Sequence, residues 1–319
     1  MATTPGLGSA ISLCKESTWG TASAGTYRLL PFISESLSLD KGFISSKTLK
    51  GGTVLPVTAS WRTGNTNVAG DTGFELLDRG MGTLWEGMLG GASVGAPSGG
   101  NTPITYTPAA ALPSFTVDVG FGGTSSVVRK RYTGAKIDNW ELACVQDELA
   151  TLGLSWVAED ETLATGQTLS GSYPTSYRPF AGVDIAVSLN SVSPTCVKSV
   201  TFKGANNLAA DERCLGSASI KEPVRNGFGS ITGTVQVTFQ DLTEYNLFVA
   251  ATAIPLVVTL TSVAGGSVTT TITTSIRLDG STPKVSGPER ILLDLPFTCT
   301  STTDALAFTC VVNCPDTAP

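Results

Sequence analysis

The chain has 319 residues, of which 41% are hydrophobic and only 14% are charged. This composition excludes an intrinsically disordered chain, because it supplies enough apolar surface for one or two cores. The formal net charge of −6 excludes tight nonspecific binding to nucleic acid, which depends on clustered lysine and arginine. The length exceeds that of an ordinary single domain and predicts two domains.

The first residues carry neither a basic cluster nor a continuous apolar stretch, and no later segment has the roughly 20 apolar residues of a membrane-spanning helix. We therefore expect a chain that is made and kept in a cytoplasm, without membrane association. Seven cysteines, an odd number without a zinc-type CxxC pair, predict reduced and mostly buried thiols. Because there is no histidine, Cys310 and Cys314 are not expected to bind a metal, and we expect no cofactor.

In the first half, apolar spacing predicts several strands around one short helix. A strand opens the half, and the long polar segment 40–68 that follows is a hairpin whose flexible tip holds Gly51 and Gly52. The helix follows Asp78, and its apolar face comprises Met81, Leu84, Trp85 and Met88. A Gly/Ser/Pro-rich stretch at residues 90–103 separates this helix from further strands.

Apolar and polar residues alternate at 115–119, 183–189 and 235–239, which predicts half-buried strands. A second short helix follows the last of these strands, with Leu242, Tyr245, Phe248 and Val249 on its apolar face. Between the halves, residues 159–179 are rich in Ser, Thr, Gly and Tyr and predict a linker. The sequence thus predicts an all-β fold with one short helix per half, divided into domains 1–165 and 166–319.

The two halves resemble one another at fixed spacings. Residues 68–78, which lead through a strand to an aspartate before the helix, resemble residues 231–241, which lie 163 positions later. At the same offset, the opening-strand residues Leu37 and Leu39 match Val200 and Phe202. A second offset, of 141 positions, relates Ile137, Leu152, Leu154 and Trp156 to Leu278, Leu293, Leu295 and Phe297. These matches predict an internal duplication; the alternative is a chance alignment of alternating sequences.

The residues that common catalytic sites require are missing. Without histidine the chain lacks the commonest general base, the usual metal ligand and the middle member of a serine triad, so we expect no enzyme. The glycine pair that follows Lys47 and Lys50 is not part of a GxxxxGK[ST] phosphate loop. Basic residues are not interleaved with the tryptophans, so we expect core positions rather than base-stacking roles for Trp61, Trp85, Trp140 and Trp156.

Segments along nearly the whole chain match one known pattern. The first half contains Ser-Thr-Trp-Gly-Thr at 17–21, Leu-Pro-Phe-Ile-Ser-Glu-Ser-Leu at 30–37, Asp-Arg-Gly-Met-Gly-Thr-Leu-Trp at 78–85 and Asn-Trp-Glu-Leu-Ala-Cys at 139–144. The second half contains Val-Thr-Phe-Lys-Gly at 200–204, Phe-Gln-Asp-Leu-Thr-Glu-Tyr-Asn at 239–246 and Gly-Pro-Glu at 287–289. Together these segments resemble the major tail tube proteins of long, noncontractile-tailed bacteriophages.

The resemblance implies a β-sandwich flanked by a helix, whose subunits join edge to edge into rings with an inner β-barrel. It implies a structural virion protein that polymerises as stacked rings into the tail tube, the channel for genome ejection. If each half is one tube domain, three chains form a pseudo-sixfold ring; a true hexamer is the alternative. The implied partners are further copies, the tape measure protein, the tail terminator and the baseplate or distal tail protein, with assembly in the host cytoplasm and only transient passage of genomic DNA.

In such a tube, the segment 40–68 is expected to be an arm that reaches a neighbouring ring, and residues 205–230 are its counterpart. The residues assigned to these contacts are Lys47, Lys50, Gly51, Gly52, Arg62, Lys221, Glu222 and Arg225. An ordinary mobile hairpin is the alternative. Some acidic residues are expected to face the lumen, but alternation does not distinguish inner, outer and core faces.

A second class of function fits the composition equally well, namely a virion-surface or secreted β-sandwich module that binds sugars. The resemblance over nearly the whole chain and the missing signal peptide favour the tail tube. An enzyme ranks third.

Overall fold

The computed structural model describes residues 6–48, 52, 54–55, 58–122, 127–194, 196–239, 242–262, 268–280, 290–300 and 307–319. Most of these residues lie in antiparallel strands, and the two predicted helices are present, which confirms the all-β fold with one short helix per half.

The first half contains β1 (Ala10–Lys15), β2 (Arg28–Leu30), β3 (Ser34–Glu35), β4 (Ser38–Ser45), β5 (Trp61–Glu75), α1 (Gly82–Leu89), β6 (Gly90–Val94), β7 (Thr102–Pro108), β8 (Phe115–Phe121), β9 (Val127–Val145), β10 (Thr151–Ala158) and β11 (Asp160–Gln167). The second half contains β12 (Ile185–Leu189), β13 (Val197–Ala205), β14 (Ser230–Thr238), α2 (Thr243–Val249), β15 (Ile254–Thr261), β16 (Thr269–Leu278), β17 (Leu292–Cys299) and β18 (Phe308–Cys314). Short 3-10 helices occupy Gly6–Gly8, Thr58–Ser60 and Gly182–Asp184.

Strand pairing follows the same scheme in the two halves. In the first half β4 pairs with β5, β5 with β10, β10 with β9, β9 with β8 and β11, and β8 with β1. In the second half β13 pairs with β14, β14 with β17, β17 with β16, β16 with β15 and β18, and β15 with β12. Each helix follows the second strand of its series, so the order of elements is also the same.

The register of the strands repeats as well. Gly70 lies opposite Trp156 in the first half, and Gly233 lies opposite Phe297 in the second. These pairs are related by the two offsets, 163 and 141, that the sequence comparison uses. The offset changes because residues 90–114 connect α1 to β8, whereas residues 250–253 connect α2 to β15. The hairpin β6–β7 lies in the longer connection and contains the Gly/Ser/Pro-rich stretch. Its strand β7 also pairs with β18.

The opening strand differs from the sequence comparison by two residues. The register of β4 on β5 brings Leu37 opposite Gly70, whereas Phe202 lies opposite Gly233. These partners are 165 positions apart, so Phe202 corresponds to Leu37 and not to Leu39. A shift of two residues keeps each side chain on its face of the sheet, which is why the apolar pattern does not reveal it.

A sheet of eight strands joins the two halves, because β9 also pairs with β13. Its order is β4-β5-β10-β9-β13-β14-β17-β16, and we call it the long sheet. One second layer, β2-β1-β8-β9-β11, covers the first half, and another, β12-β15-β16-β18-β7-β6, covers the second. β9 and β16 pass from the long sheet into these layers.

The core lies between the layers. The rings of Phe115 and Trp156 meet edge to face at 6.2 Å, and those of Phe202 and Phe308 at 5.8 Å, so each second layer packs on the long sheet. Trp85, Trp140 and Trp156 are buried as predicted. The same prediction is wrong for Trp61, which is 51% exposed because it begins β5 at the outer end of the long hairpin.

Two further expectations change at the boundary between the halves. The predicted linker 159–179 begins with β11, which pairs with β9 and extends past residue 165. The strand predicted at 183–189 begins at Ile185, after a 3-10 turn.

Candidate functional site

One face of the long sheet is polar across its six middle strands, whereas the other face is buried under the second layers. In β10, for example, Leu152, Leu154 and Trp156 are buried, while the alternate residues Gly153 and Ser155 remain accessible. The same alternation occurs in β14 and β17. We call the accessible side of β5, β10, β9, β13, β14 and β17 the polar face.

Residues on the polar face align in straight rows across the strands. One row crosses seven strands, because each of its residues pairs with the next: Gly73, Gly153, Glu141, Lys203, Thr232, Thr298 and Arg277. The row passes from the first half into the second without interruption. The polar face is therefore one continuous surface.

The polar face is acidic. The accessible charged residues that alternation assigns to this side of the six strands include four carboxylates and one lysine: Asp71, Glu75, Glu141, Asp294 and Lys203. The buried Lys136 also lies on this side, under residues 206–229, and the row described above ends at Arg277 on β16. The Lys203 ammonium lies 3.1 Å from Glu141, with which it forms an ion pair. A surface with this excess of negative charge repels a phosphate backbone.

Short side chains hold some of these carboxylates in place. Ser155 donates its hydroxyl to Asp71 at 2.6 Å, and the Gln236 amide donates to Asp294 at 2.8 Å. At the edge of the long sheet, hydrogen bonds from Thr298 and Arg277 hold the pKa of Asp279 below its usual value. Asp279 is therefore charged at neutral pH.

The junction between the halves is concave on this side. A depression of about 490 Å³ lies over β5, β10, β9, β13 and β14, and its polar lining includes Asp71, Asn139, Glu141, Ser155, Lys203 and Thr232. The sequence alone does not identify these residues as one site, because alternation marks two faces of a strand without showing which one stays uncovered.

The predicted arm is a two-stranded hairpin that extends beyond the core. Phe43 is 66% exposed, and Ile44 and Trp61 are also exposed. Of the residues assigned to the arm, Lys47, Gly52 and Arg62 are exposed. Lys50 and Gly51 lie outside the described residues.

The counterpart of the arm, residues 206–229 between β13 and β14, folds back onto the first half. The Arg213 guanidinium donates to the Thr66 carbonyl oxygen at 3.0 Å, and the Thr66 amide donates to the Ala218 carbonyl oxygen at 3.0 Å. We call this segment the junction loop. Lys221, one of the assigned residues, pairs within it with Glu212 at 3.3 Å.

The other two assigned residues also make contacts within the chain. The Lys136 ammonium, on β9 of the first half, is buried and lies 2.8 Å from Glu222 and 3.0 Å from the Pro223 carbonyl oxygen. Arg225 donates to the carbonyl oxygen of Asn206 at 3.2 Å. Glu222 and Arg225 therefore fasten the junction loop, in contrast to the exposed arm residues.

Within the described ranges, no cluster of three or more cysteine, aspartate or glutamate side chains is arranged to hold a metal ion. Nor does any helix in those ranges have the length and apolar character needed to cross a membrane.

The family model described as Phage tail tube protein matches residues 6–299. The chain belongs to the phage tail tube protein family. No curated protein sequence matches it. As a tail tube protein, the chain is a structural component of the virion tail that self-assembles into a tube and works with other tail components.

Proposed function

We propose that this tail tube protein polymerises as stacked rings, and that the polar face of the long sheet lines the channel through which the genome is ejected. The observation that carries this proposal is the continuous acidic face across the two halves. DNA that moves along a surface of like charge is not retained by it, because the carboxylates offer no counter-charge to the phosphates.

The ring proposed here contains three chains with pseudo-sixfold symmetry. The two halves share one pairing scheme and one register, which supports two tube domains per chain. The predicted domains are 1–165 and 166–319. Because β11 extends to Gln167, we place the boundary just after that strand. Three long sheets would give a closed barrel of 24 strands, about 45–50 Å across between backbones. Six such chains would give a barrel of about twice that width, so the diameter of the tube distinguishes the trimer from the hexamer.

Exposed apolar residues support the role of the arm in ring stacking. Phe43, Ile44 and Trp61 gain by burial against a neighbouring ring, and Lys47 and Arg62 add charge to the same hairpin. Deletion of residues 46–56 is expected to leave folded monomers or single rings that do not stack. Tubes of normal length from the deleted chain, seen by negative-stain electron microscopy, would rule out this role.

The remaining partners follow from the position of a tube in a tail. Its ends are expected to meet the tail terminator and the baseplate or distal tail protein, and its lumen to hold the tape measure protein before the DNA passes. Assembly is expected in the host cytoplasm.

The test of the proposed function is to purify the chain alone at high concentration and image it by electron microscopy. Hollow tubes or stacked rings are the expected result. A chain that stays monomeric at every concentration, and that is absent from the tails of purified virions, would contradict the proposal.

A further inference from the structure

One dipeptide in the junction loop has the chemistry of spontaneous deamidation. Asn226 is followed by Gly227, and this is the one Asn-Gly pair in the sequence. In such a pair the backbone nitrogen of the glycine can attack the side-chain amide carbon of the asparagine, because glycine has no side chain to hinder the approach. Whether the attack occurs in a folded protein depends on whether other contacts hold the two reacting groups.

The junction loop leaves both reacting groups free. The Asn226 side chain is exposed, and in the described part of the chain it has no hydrogen-bond partner. Nor does any described group accept a hydrogen bond from the Gly227 amide. This nitrogen therefore loses its proton and becomes a nucleophile without breaking a contact of the fold.

The backbone at this pair has room to rearrange. Gly227 has a φ of +127°, and a Cβ atom added to it would have nothing within 4 Å. Asn207 fixes the turn on either side of the pair. The Asn226 amide donates to the Asn207 carbonyl oxygen at 2.7 Å, and the Asn207 side-chain amide donates to the Phe228 carbonyl oxygen at 2.7 Å. The peptide bond that must rotate lies between these two anchors, in open space.

Two other pairs of similar sequence lack this freedom. Asp279 precedes Gly280, but the hydrogen bonds described above keep its carboxylate charged, and a charged carboxylate is a poor target for a nucleophile. Asn207 precedes Leu208, whose amide donates to the Asp138 carboxylate at 2.9 Å and is therefore not free to attack. The chain thus contains two protected pairs that serve as internal controls for the unprotected one.

We propose that Asn226 is a self-modification site, where the Gly227 nitrogen attacks the side-chain amide carbon of Asn226. The new C–N bond closes a succinimide ring. The side-chain nitrogen leaves as ammonia and takes with it the proton from the Gly227 amide. Water then adds to one of the two ring carbonyl groups and opens the ring, which yields aspartate or isoaspartate. In sum, water is consumed and ammonia is released, with no change of oxidation state.

The product changes the turn in two ways. A carboxylate at residue 226 adds a negative charge next to Arg225, whose guanidinium donates to the Asn206 carbonyl oxygen at 3.2 Å. The isoaspartate form also adds a methylene group to the main chain, which displaces the Phe228 carbonyl oxygen from the Asn207 side chain. The turn that closes the junction loop is therefore loosened. The reaction needs the folded loop but no assembled ring, so it is independent of the proposed function.

The test compares the full-length chain, folded in buffer and unfolded in urea, over the same period. Peptide mass spectrometry measures the conversion of each pair, and enzymatic methylation specific for isoaspartate identifies that product. Residue 226 is expected to convert at rates within about tenfold of each other in the two states, and faster as the pH rises, because the deprotonated amide is the nucleophile. Asp279 should convert only in urea, and Asn207 should not convert measurably in the folded chain.

Asn226→Gln is the matched variant, because it keeps the amide and the glycine but places the amide carbon too far away for the same ring. After incubation the wild type is expected to unfold about 1–3 °C lower than when fresh, since one hydrogen bond of the turn is lost, whereas Asn226→Gln should not change. Conversion of residue 226 that is more than about tenfold slower in the folded chain than in urea would show that the fold protects this pair and would overturn the proposal. Conversion of Asn207 as fast as that of Asn226 would also overturn it.

Discussion

In the long sheet, a glycine on one strand leaves room for an aromatic ring on the neighbouring strand. A Cβ atom at Gly233 would overlap the Phe297 ring and the Thr201 carbonyl oxygen. At Gly153, on the polar face, the nearest atom to an added Cβ is the Glu141 carbonyl oxygen at 3.9 Å. The two glycines lie in the two halves of one sheet but differ in the space available to a side chain.

We predict that Gly233→Ala lowers the free energy of unfolding by about 1–3 kcal/mol, because the added methyl group must displace the aromatic ring or the backbone. Gly153→Ala is the matched control and should change it by about 0.5 kcal/mol or less. Urea denaturation of the monomer measures both. Equal stability of the two variants would show that the packing around Gly233 is looser than described.

Single residues also show the limits of the sequence. Alternation correctly predicts that Val235 and Val237 are buried, because a strand in a sandwich buries every second side chain. It does not predict that Asp71 and Glu141 share one uncovered face, since that depends on which layer each strand faces. The core position expected for Trp61 is wrong, because its apolar character suits the exposed arm as well as a core.

At the scale of elements, the helices and most strands follow from local patterns. The spacing of Leu84, Trp85 and Met88 predicts α1, and the helix Gly82–Leu89 contains all three residues. The sequence does not predict the hairpin β6–β7, because its Gly/Ser/Pro-rich sequence lacks alternation. The hairpin is held in place by the pairing of β7 with the distant β18. The sequence predicts an arm for the junction loop and does not show that it folds back onto the first half. The contact that holds it, between Glu222 and Lys136, joins residues far apart in sequence and leaves no local pattern.

The junction loop provides the prediction at this scale. Glu222→Ala leaves the Lys136 ammonium buried with only the Pro223 carbonyl oxygen as a described acceptor. We expect a loss of about 1–3 kcal/mol in the free energy of unfolding, discounted toward the lower value because Glu222 is half exposed.

Two further variants test the cause of that loss in the same denaturation experiment. Adding Lys136→Met to Glu222→Ala should restore part of the stability, because the buried charge is then gone. Glu212→Ala, in the exposed pair with Lys221, should leave stability unchanged. If Glu222→Ala and Glu212→Ala behave alike, the Lys136 contact does not fasten the loop.

For the whole molecule, the acidic polar face predicts how charge reversal acts on DNA passage. In the proposed tube, Asp71→Lys places a cation on the lumen in every ring, and genome release from such virions is expected to slow because phosphates are retained. Asp160→Lys, on β11 in the second layer, changes the net charge equally and should not slow release. Added salt should relieve the delay by screening. Equal release rates for the two variants would place Asp71 outside the channel.

The most direct test of the account is a cryo-electron microscopy reconstruction of the assembled tube. We predict three chains per ring, the eight strands of each long sheet around the lumen, and the Asp71 and Glu141 side chains facing inward. A reconstruction in which the polar face lies on the outside of the tube, or between stacked rings, would contradict it.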